Sequence, residues 1–179
     1  VKEALRSSQD MLARTQQIAQ VGSWQFDVIQ KKLTWSAETY RIFGVIDKTC
    51  EPTYESFLKS VHPKDRAKVE QAYSSSLLDG EDTYEIEHRL IKENSGEVRH
   101  VLEKCQHERD ESGAVIRSIG MVQDITERKR AEEGLRQSEN KFRALVETTS
   151  DWIWEVDDQG NYTYVSPRIE AVLGFTLCS

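Results

Sequence analysis

Tyr84-Glu85-Ile86-Glu87-His88-Arg89-Leu90-Ile91 decides the fold, because large side chains alternate along it with charged ones. A period of two places Tyr84, Ile86, His88 and Leu90 on one face of a strand and Glu85, Glu87 and Arg89 on the other. An Asn94-Ser95-Gly96 turn follows, then a strand over Val98–Arg109, the turn Asp110-Glu111-Ser112-Gly113, and a strand from Val115 to Gln123. Three long strands joined by tight glycine-containing turns predict an antiparallel meander. Across its first hairpin, Glu87 and Arg89 are expected to exchange ion pairs with Arg99.

Upstream of the meander, Val61-His62-Pro63-Lys64-Asp65-Arg66 reads as the start of a helix running to Leu78, with Pro63 in the first turn and His62 in a capping or turn-forming role. Val69, Ala72, Tyr73 and Ser76 share one side of that helix. A short helix is expected near Tyr54–Ser60 and another from Ala37 to Phe43, capped by Ser36 and closed by Gly44. Trp24–Val28 and Lys32–Trp35 alternate as a hairpin that buries Trp24, Phe26, Leu33 and Trp35 together. Residues 2–20 have no Pro or Gly and predict a helix, with Gly22 as its C-cap. Its apolar residues recur at sevens, Ala4, Met11 and Ile18 beside Leu5, Leu12 and Ala19, a stripe suited to a partner helix.

Downstream, Asp124 or Thr126 caps a helix from Glu127 to Val146 whose apolar stripe is narrow: Ala131, Leu135, Phe142, Leu145 and Val146. Beyond it the chain repeats its own opening. Residues 1–49 fall on residues 131–179 at a constant offset of 130, with eight identities that include Trp24 with Trp154, Asp27 with Asp157, Ser36 with Ser166 and Gly44 with Gly174. So long a period predicts tandem copies of a whole domain, not a solenoid. A hairpin over Trp152–Val165 and a short helix from Pro167 to Leu173 would restart the pattern.

With 24 Lys and Arg against 31 Asp and Glu, the net charge of −7 argues against a nucleic-acid partner and against direct contact with an anionic membrane. No run of apolar residues approaches the length of a membrane span. Cys50, Cys105 and Cys178 have neither disulfide-like nor metal-ligand spacing, which predicts reduced thiols and a cytoplasmic location. The chain opens on Val1 and stops abruptly at Ser179, so it reads as a piece of a longer protein, and an anchor elsewhere in that parent stays open.

The motifs in this order resemble the PAS family. Trp24-x-Phe26-Asp27, Leu33-Thr34-Trp35-Ser36 and Tyr40-x-Ile42-Phe43-Gly44 are similar to the opening of a PAS domain of the PAS-3 type. His62-Pro63-Lys64-Asp65-Arg66 resembles its helix-start signature, and Glu87-His88-Arg89 with Asn94-Ser95-Gly96-Glu97-Val98-Arg99 its central hairpin. Gly120-Met121-Val122-Gln123-Asp124-Ile125-Thr126-Glu127-Arg128-Lys129 resembles the PAC ending. Two departures stand out: Ser95-Gly96 where the family usually has Asp-Gly, and His100 where it often has Trp.

The resemblance implies an α+β PAS fold, a five-stranded antiparallel sheet with short helices on one face. It divides the chain into an amphipathic signalling helix (1–22), a PAS/PAC domain (23–126), a linker helix (127–149) and the truncated start of a second PAS domain (150–179). It implies a sensory or relay role: a small ligand or redox cue is sensed and passed through the flanking helices to an output domain. That output would be a histidine kinase of a two-component system, or alternatively a diguanylate cyclase. A ligand-free dimerisation or spacer module is the competing expectation.

No phosphate-binding loop, metal-ligand cluster or nucleophile motif is present, so no catalytic residue and no metal site are expected. The candidate pocket lining is Trp24, Phe26, Trp35, Phe43, Tyr73 and His88. No bound cofactor is the leading expectation, with flavin the first alternative because those aromatics can stack a ring system. Haem is disfavoured, since relatives that hold it use a His in the longer helix and residues 64–78 have none. For His88, a hydrogen-bonded core or rim role competes with a pocket role. The candidate relay residues are Asp124 and Thr126, where the last strand becomes the linker, with Leu5, Leu12, Leu135 and Phe142 on helices expected to pair in a homodimer.

Overall fold

The computed structural model describes residues 2–47, 51–78, 80–148, 153–166 and 169. They form two units, Val1–Glu127 and Arg128–Ser179. In the first, α1 (Lys2–Ile18) precedes the hairpin β1 (Val21–Asp27) and β2 (Lys32–Trp35). The helices α2 (Ala37–Phe43), α3 (Tyr54–Ser60) and α4 (Arg66–Leu78) follow, then the meander β3 (Thr83–Ile91), β4 (Val98–Arg109) and β5 (Val115–Asp124). The five strands make one antiparallel sheet in the order β2-β1-β5-β4-β3. The expected α+β architecture is therefore present.

The short helices form where local chemistry demands them. The Ser36 hydroxyl accepts from the Thr39 N–H at 3.3 Å, and Gly44 closes α2 at φ 70°, where a side chain would be strained. Thr53 and Ser56 form a reciprocal capping box on α3. These helices cover the sheet face that carries Trp24, Leu90, Val101 and Val122. Ile42, Phe43, Leu90, Val101 and Val122 form one buried cluster, and Trp24, Leu33 and Cys105 another.

Three expectations need correction. Gly22 does not cap α1; it lies in β1, opposite Val122, and the chain turns instead through Gln20 at φ 53°. A Cβ on Gly22 would come within 2.7 Å of the Thr39 backbone, so close approach of α2 requires the glycine. Second, α4 starts at Arg66, and Pro63 sits in the turn before it. Val61 forms a bridge with Leu90, and the His62 carbonyl accepts from the Asp65 N–H at 2.8 Å, so His62 shapes a turn. Third, Arg99 does not meet Glu87 or Arg89. It stands opposite Leu90 on the other face, pairing with Glu97 at 2.8 Å and Asp124 at 3.3 Å, while Arg89 pairs with Asp65 at 2.6 Å.

The second unit contains α5 (Thr126–Thr148), apart from its first two residues, and a hairpin of β6 (Trp154–Val156) and β7 (Tyr162–Val165). This hairpin reproduces β1–β2 at the 130-residue offset. Trp24 pairs with Trp35, and Trp154 with Val165. The Ser36 hydroxyl accepts from Ser23 N at 3.0 Å, and the Ser166 hydroxyl accepts from Ile153 N at 3.0 Å. Of the helix expected over Pro167–Leu173 only Ile169 is among the described residues, its N–H donating to the Ser166 carbonyl at 3.1 Å; Trp152, Cys50 and Cys178 lie outside them.

Candidate functional site

Between the sheet and α2–α4 lies a cavity of about 30 Å³. Trp24, Phe26, Trp35, Phe43 and Tyr73, all expected as lining, are brought together in its wall. The sixth, His88, is not in the wall. It is buried behind it, its Nε2 lying 3.1 Å from Glu103 Oε2 and its Nδ1 3.3 Å from the Arg89 carbonyl. Glu103 is the wall's carboxyl group, and Tyr54, Phe57 and Tyr84 complete the aromatic lining.

Sequence reasoning missed Glu103, although alternation along β4 carried the signal. Val101, Glu103, Cys105 and His107 share one parity and are all buried. The anchor for that parity is Val101, since an isolated Glu on a strand otherwise reads as solvent-facing.

The same alternation hides a second network. The Ser76 hydroxyl donates to the Tyr73 carbonyl at 2.7 Å, so it accepts from His107 Nε2 at 2.9 Å. His107 Nδ1 then accepts from the Ser118 hydroxyl at 2.9 Å, and Ser118 accepts from the Tyr73 hydroxyl at 3.2 Å. The loop begins and ends on Tyr73 and requires a neutral imidazole carrying its proton on Nε2. Burial lowers the His107 pKa, and the Arg109 charge lowers it further, in keeping with that tautomer.

This network predicts a pH dependence. Unfolded histidine takes a proton at about pH 6.5, whereas buried His107 resists it. The stabilisation is thus complete above about pH 6.5 and is lost as pH falls through the lower folded value. The urea midpoint of the wild type should decline as pH falls below about 6.5, and His107→Gln should show a lower midpoint at neutral pH with a shallower decline. Equal slopes in the two proteins would refute the assignment.

Burial raises the Tyr54 phenol to about 12 and the Cys105 thiol to about 12, with the Glu103 charge adding to both. Tyr73 and Tyr84 are raised for the same first reason. Cys105 is therefore a protonated, inert thiol. A flavin does not fit this packing: ligand sites of that class occupy roughly 300 Å³ or more, ten times the space present. For haem, α4 offers no His or Cys, and no group of three His, Cys, Asp or Glu able to hold a metal occurs among the described residues.

The exit from the sheet is tightly tied. Asp124 Oδ1 accepts from the Thr126 N–H at 2.9 Å, and Asp124 Oδ2 accepts from Arg99 at 3.3 Å. The Thr126 hydroxyl accepts from the His100 N–H at 2.9 Å, and the His100 carbonyl accepts from the Ile125 N–H at 2.9 Å. The Asp124 N–H donates to the Gln20 carbonyl at 3.2 Å, next to the point where α1 ends. On α1, Leu12 is 59% exposed and Ile18 84%; on α5, Leu135 is 64% and Phe142 56% exposed. Leu5 lies on α1, and its side chain is outside those described.

A family model described as the PAS fold matches residues 32–122, just over half of the chain. The chain belongs to the PAS family. A second model, described as a PAS domain, matches residues 140–179. The chain is 27% identical over 157 residues to the sensor protein FixL of Bradyrhizobium diazoefficiens, covering 87% of this chain and 30% of that protein. It is 34% identical over 126 residues to a blue-light-activated histidine kinase of Brucella ovis, covering 70% and 24% respectively. It thus spans under a third of either relative. A crystal structure of a sensory box histidine kinase/response regulator from Burkholderia thailandensis matches with a TM-score of 0.60 at 28% identity, covering 74% of this chain and 98% of that one. This is a PAS sensor domain homologous to those of histidine kinases. No helix among its described residues is long and apolar enough to cross a membrane.

Proposed function

We propose that residues 23–126 sense a small ligand or redox cue in the aromatic cavity and relay the change through the flanking helices to a C-terminal output domain. A histidine kinase of a two-component system is the output that the relatives favour, and a diguanylate cyclase is the alternative. In this reading the segment performs no chemistry of its own, residues 150–179 open a second PAS copy, and the exposed seams of α1 and α5 pair with those of a second subunit. The reading is compatible with a cytoplasmic domain whose parent is anchored elsewhere.

The observation that carries this proposal is the hydrogen-bonded joint at Asp124. One residue holds the end of the last strand, the first N–H of α5, Arg99 on β4 and the peptide that follows α1. A shift in the sheet would reach both helix joints together. Asp124→Ala and Thr126→Ala, placed in the full-length protein, should abolish most of the stimulus-dependent change in output while costing about 1–2 kcal/mol of domain stability. Full responses in both variants would refute the relay.

A ligand-free spacer is the second reading, favoured by how completely aromatic rings fill the interior. Native mass spectrometry of the purified chain distinguishes them: a bare mass with no absorbance beyond the aromatic band supports the spacer. The same spectrum reports whether the chain is a dimer.

A further inference from the structure

Of the twelve residues around the cavity, eight are aromatic, one is Glu103, and none is Lys or Arg. The Glu103 side chain is 6% exposed, and His88 occupies only one of its oxygens, Oε2. Its charge is felt across the cavity, adding to the burial that already suppresses ionisation of Tyr54, Tyr73 and Tyr84. Negative ring faces around the wall's one carboxylate, whose second oxygen His88 leaves free, favour a cation over an anion. A carboxylate or phosphate ligand would meet no compensating charge in the wall.

Trp24 supplies an independent sign of a missing occupant. It is 8% exposed and lines the cavity, yet its buried indole N–H has no acceptor. An orphaned buried donor is uncommon in a folded protein and costs about 1–3 kcal/mol until a ligand or water satisfies it. The volume sets the size. At about 30 Å³ the space exceeds the 10–15 Å³ that one water requires, and it falls far short of a nucleotide or ring cofactor.

Given the sensory reading above, the geometry points to a compact organic ammonium group as the ligand class, held by the Glu103 carboxylate against the faces of Trp35, Tyr54, Phe57 and Tyr73. The Trp24 N–H serves a hydrogen-bond acceptor that accompanies this head group, a ligand heteroatom or a water. Glu103 thus sets specificity for positive charge, and the aromatic wall limits the head to a few heavy atoms.

Three probes of matched size and different charge test this on the 179-residue chain: methylammonium, methanol and formate. Each is titrated to about 100 mM at constant ionic strength, since ligands of two or three heavy atoms bind with roughly millimolar affinity at best. The readout is the indole N–H resonance of Trp24 in a nitrogen–proton correlation spectrum, assigned with Trp24→Phe. Methylammonium should shift that resonance saturably, and methanol and formate should not. Glu103→Gln, which keeps an oxygen for His88, should weaken methylammonium binding at least tenfold; Tyr54→Leu should weaken it several-fold with Glu103 intact. Equal binding of methanol, or equal methylammonium affinity in Glu103→Gln, overturns the ammonium assignment and leaves a ligand-binding sensor. Preferential binding of formate overturns it in the same way. Silence from all three probes overturns both the assignment and the cavity as a sensing site.

Discussion

Phe43→Ala should destabilise the domain by about 4 kcal/mol, the largest effect expected of any single truncation in this chain. Phe43 is 2% exposed and belongs to the cluster of Ile42, Leu90, Val101 and Val122. Its ring lies 4.7 Å from that of Trp35 and 6.0 Å from that of Phe57. Removing it forfeits its transfer free energy and leaves a void beside the existing cavity, where two large rings already bridge open space. The surroundings have little scope to close in, because α2 is pinned at both ends by Ser36 and Gly44. Urea unfolding of the variant checks this; a loss below about 2 kcal/mol would mean that the aromatic wall collapses inward and that the cavity is plastic.

Gly120→Ala should cost about 3 kcal/mol, although it adds a single methyl group. A Cβ at this position would come 2.4 Å from the Trp24 ring and 2.5 Å from the Lys104 carbonyl oxygen. The first neighbour is a wide indole packed in the core, and the second is backbone of the adjoining strand, so neither yields cheaply. A partial rescue separates the two: Trp24→Leu in the Gly120→Ala background should recover stability relative to the sum of the single changes. Strict additivity would show that the carbonyl contact alone dominates.

Much of this molecule was legible in its residues because period-two alternation and turn chemistry act locally. Tyr84, Ile86, His88 and Leu90 face inward as read, and the Ser36 and Gly44 caps lie where they were expected. What escaped depends on distant neighbours. Gly22 carries the same local signature in a helix cap and in a strand crossed by a helix, and only Thr39, seventeen residues further along the chain, distinguishes them. Arg99 was paired by proximity in sequence, whereas the register put it on the opposite face.

The site was half legible for the same reason. Five aromatic lining residues announced themselves by size. Glu103, by contrast, is charged on a strand whose outward neighbours are charged too, and its burial follows only from tertiary packing. His107 was similarly silent, since its role exists only through Ser76, Ser118 and Tyr73 on other elements.

The turn before α4 has a consequence for solubility. Strand β3 ends the sheet, and three of its outward backbone groups are already claimed: Arg89 O by His62 N at 2.9 Å, Arg89 N by Asp65 at 2.9 Å, and Glu87 O by Lys68 at 3.1 Å. A bare edge would offer a template to another sheet, a hazard sharpened when similar hairpins share one polypeptide. The Arg89 guanidinium holds Asp65 well below the usual carboxylate range, so this guard survives mild acid. Strong acid that protonates Asp65 would uncover the edge and invite self-association.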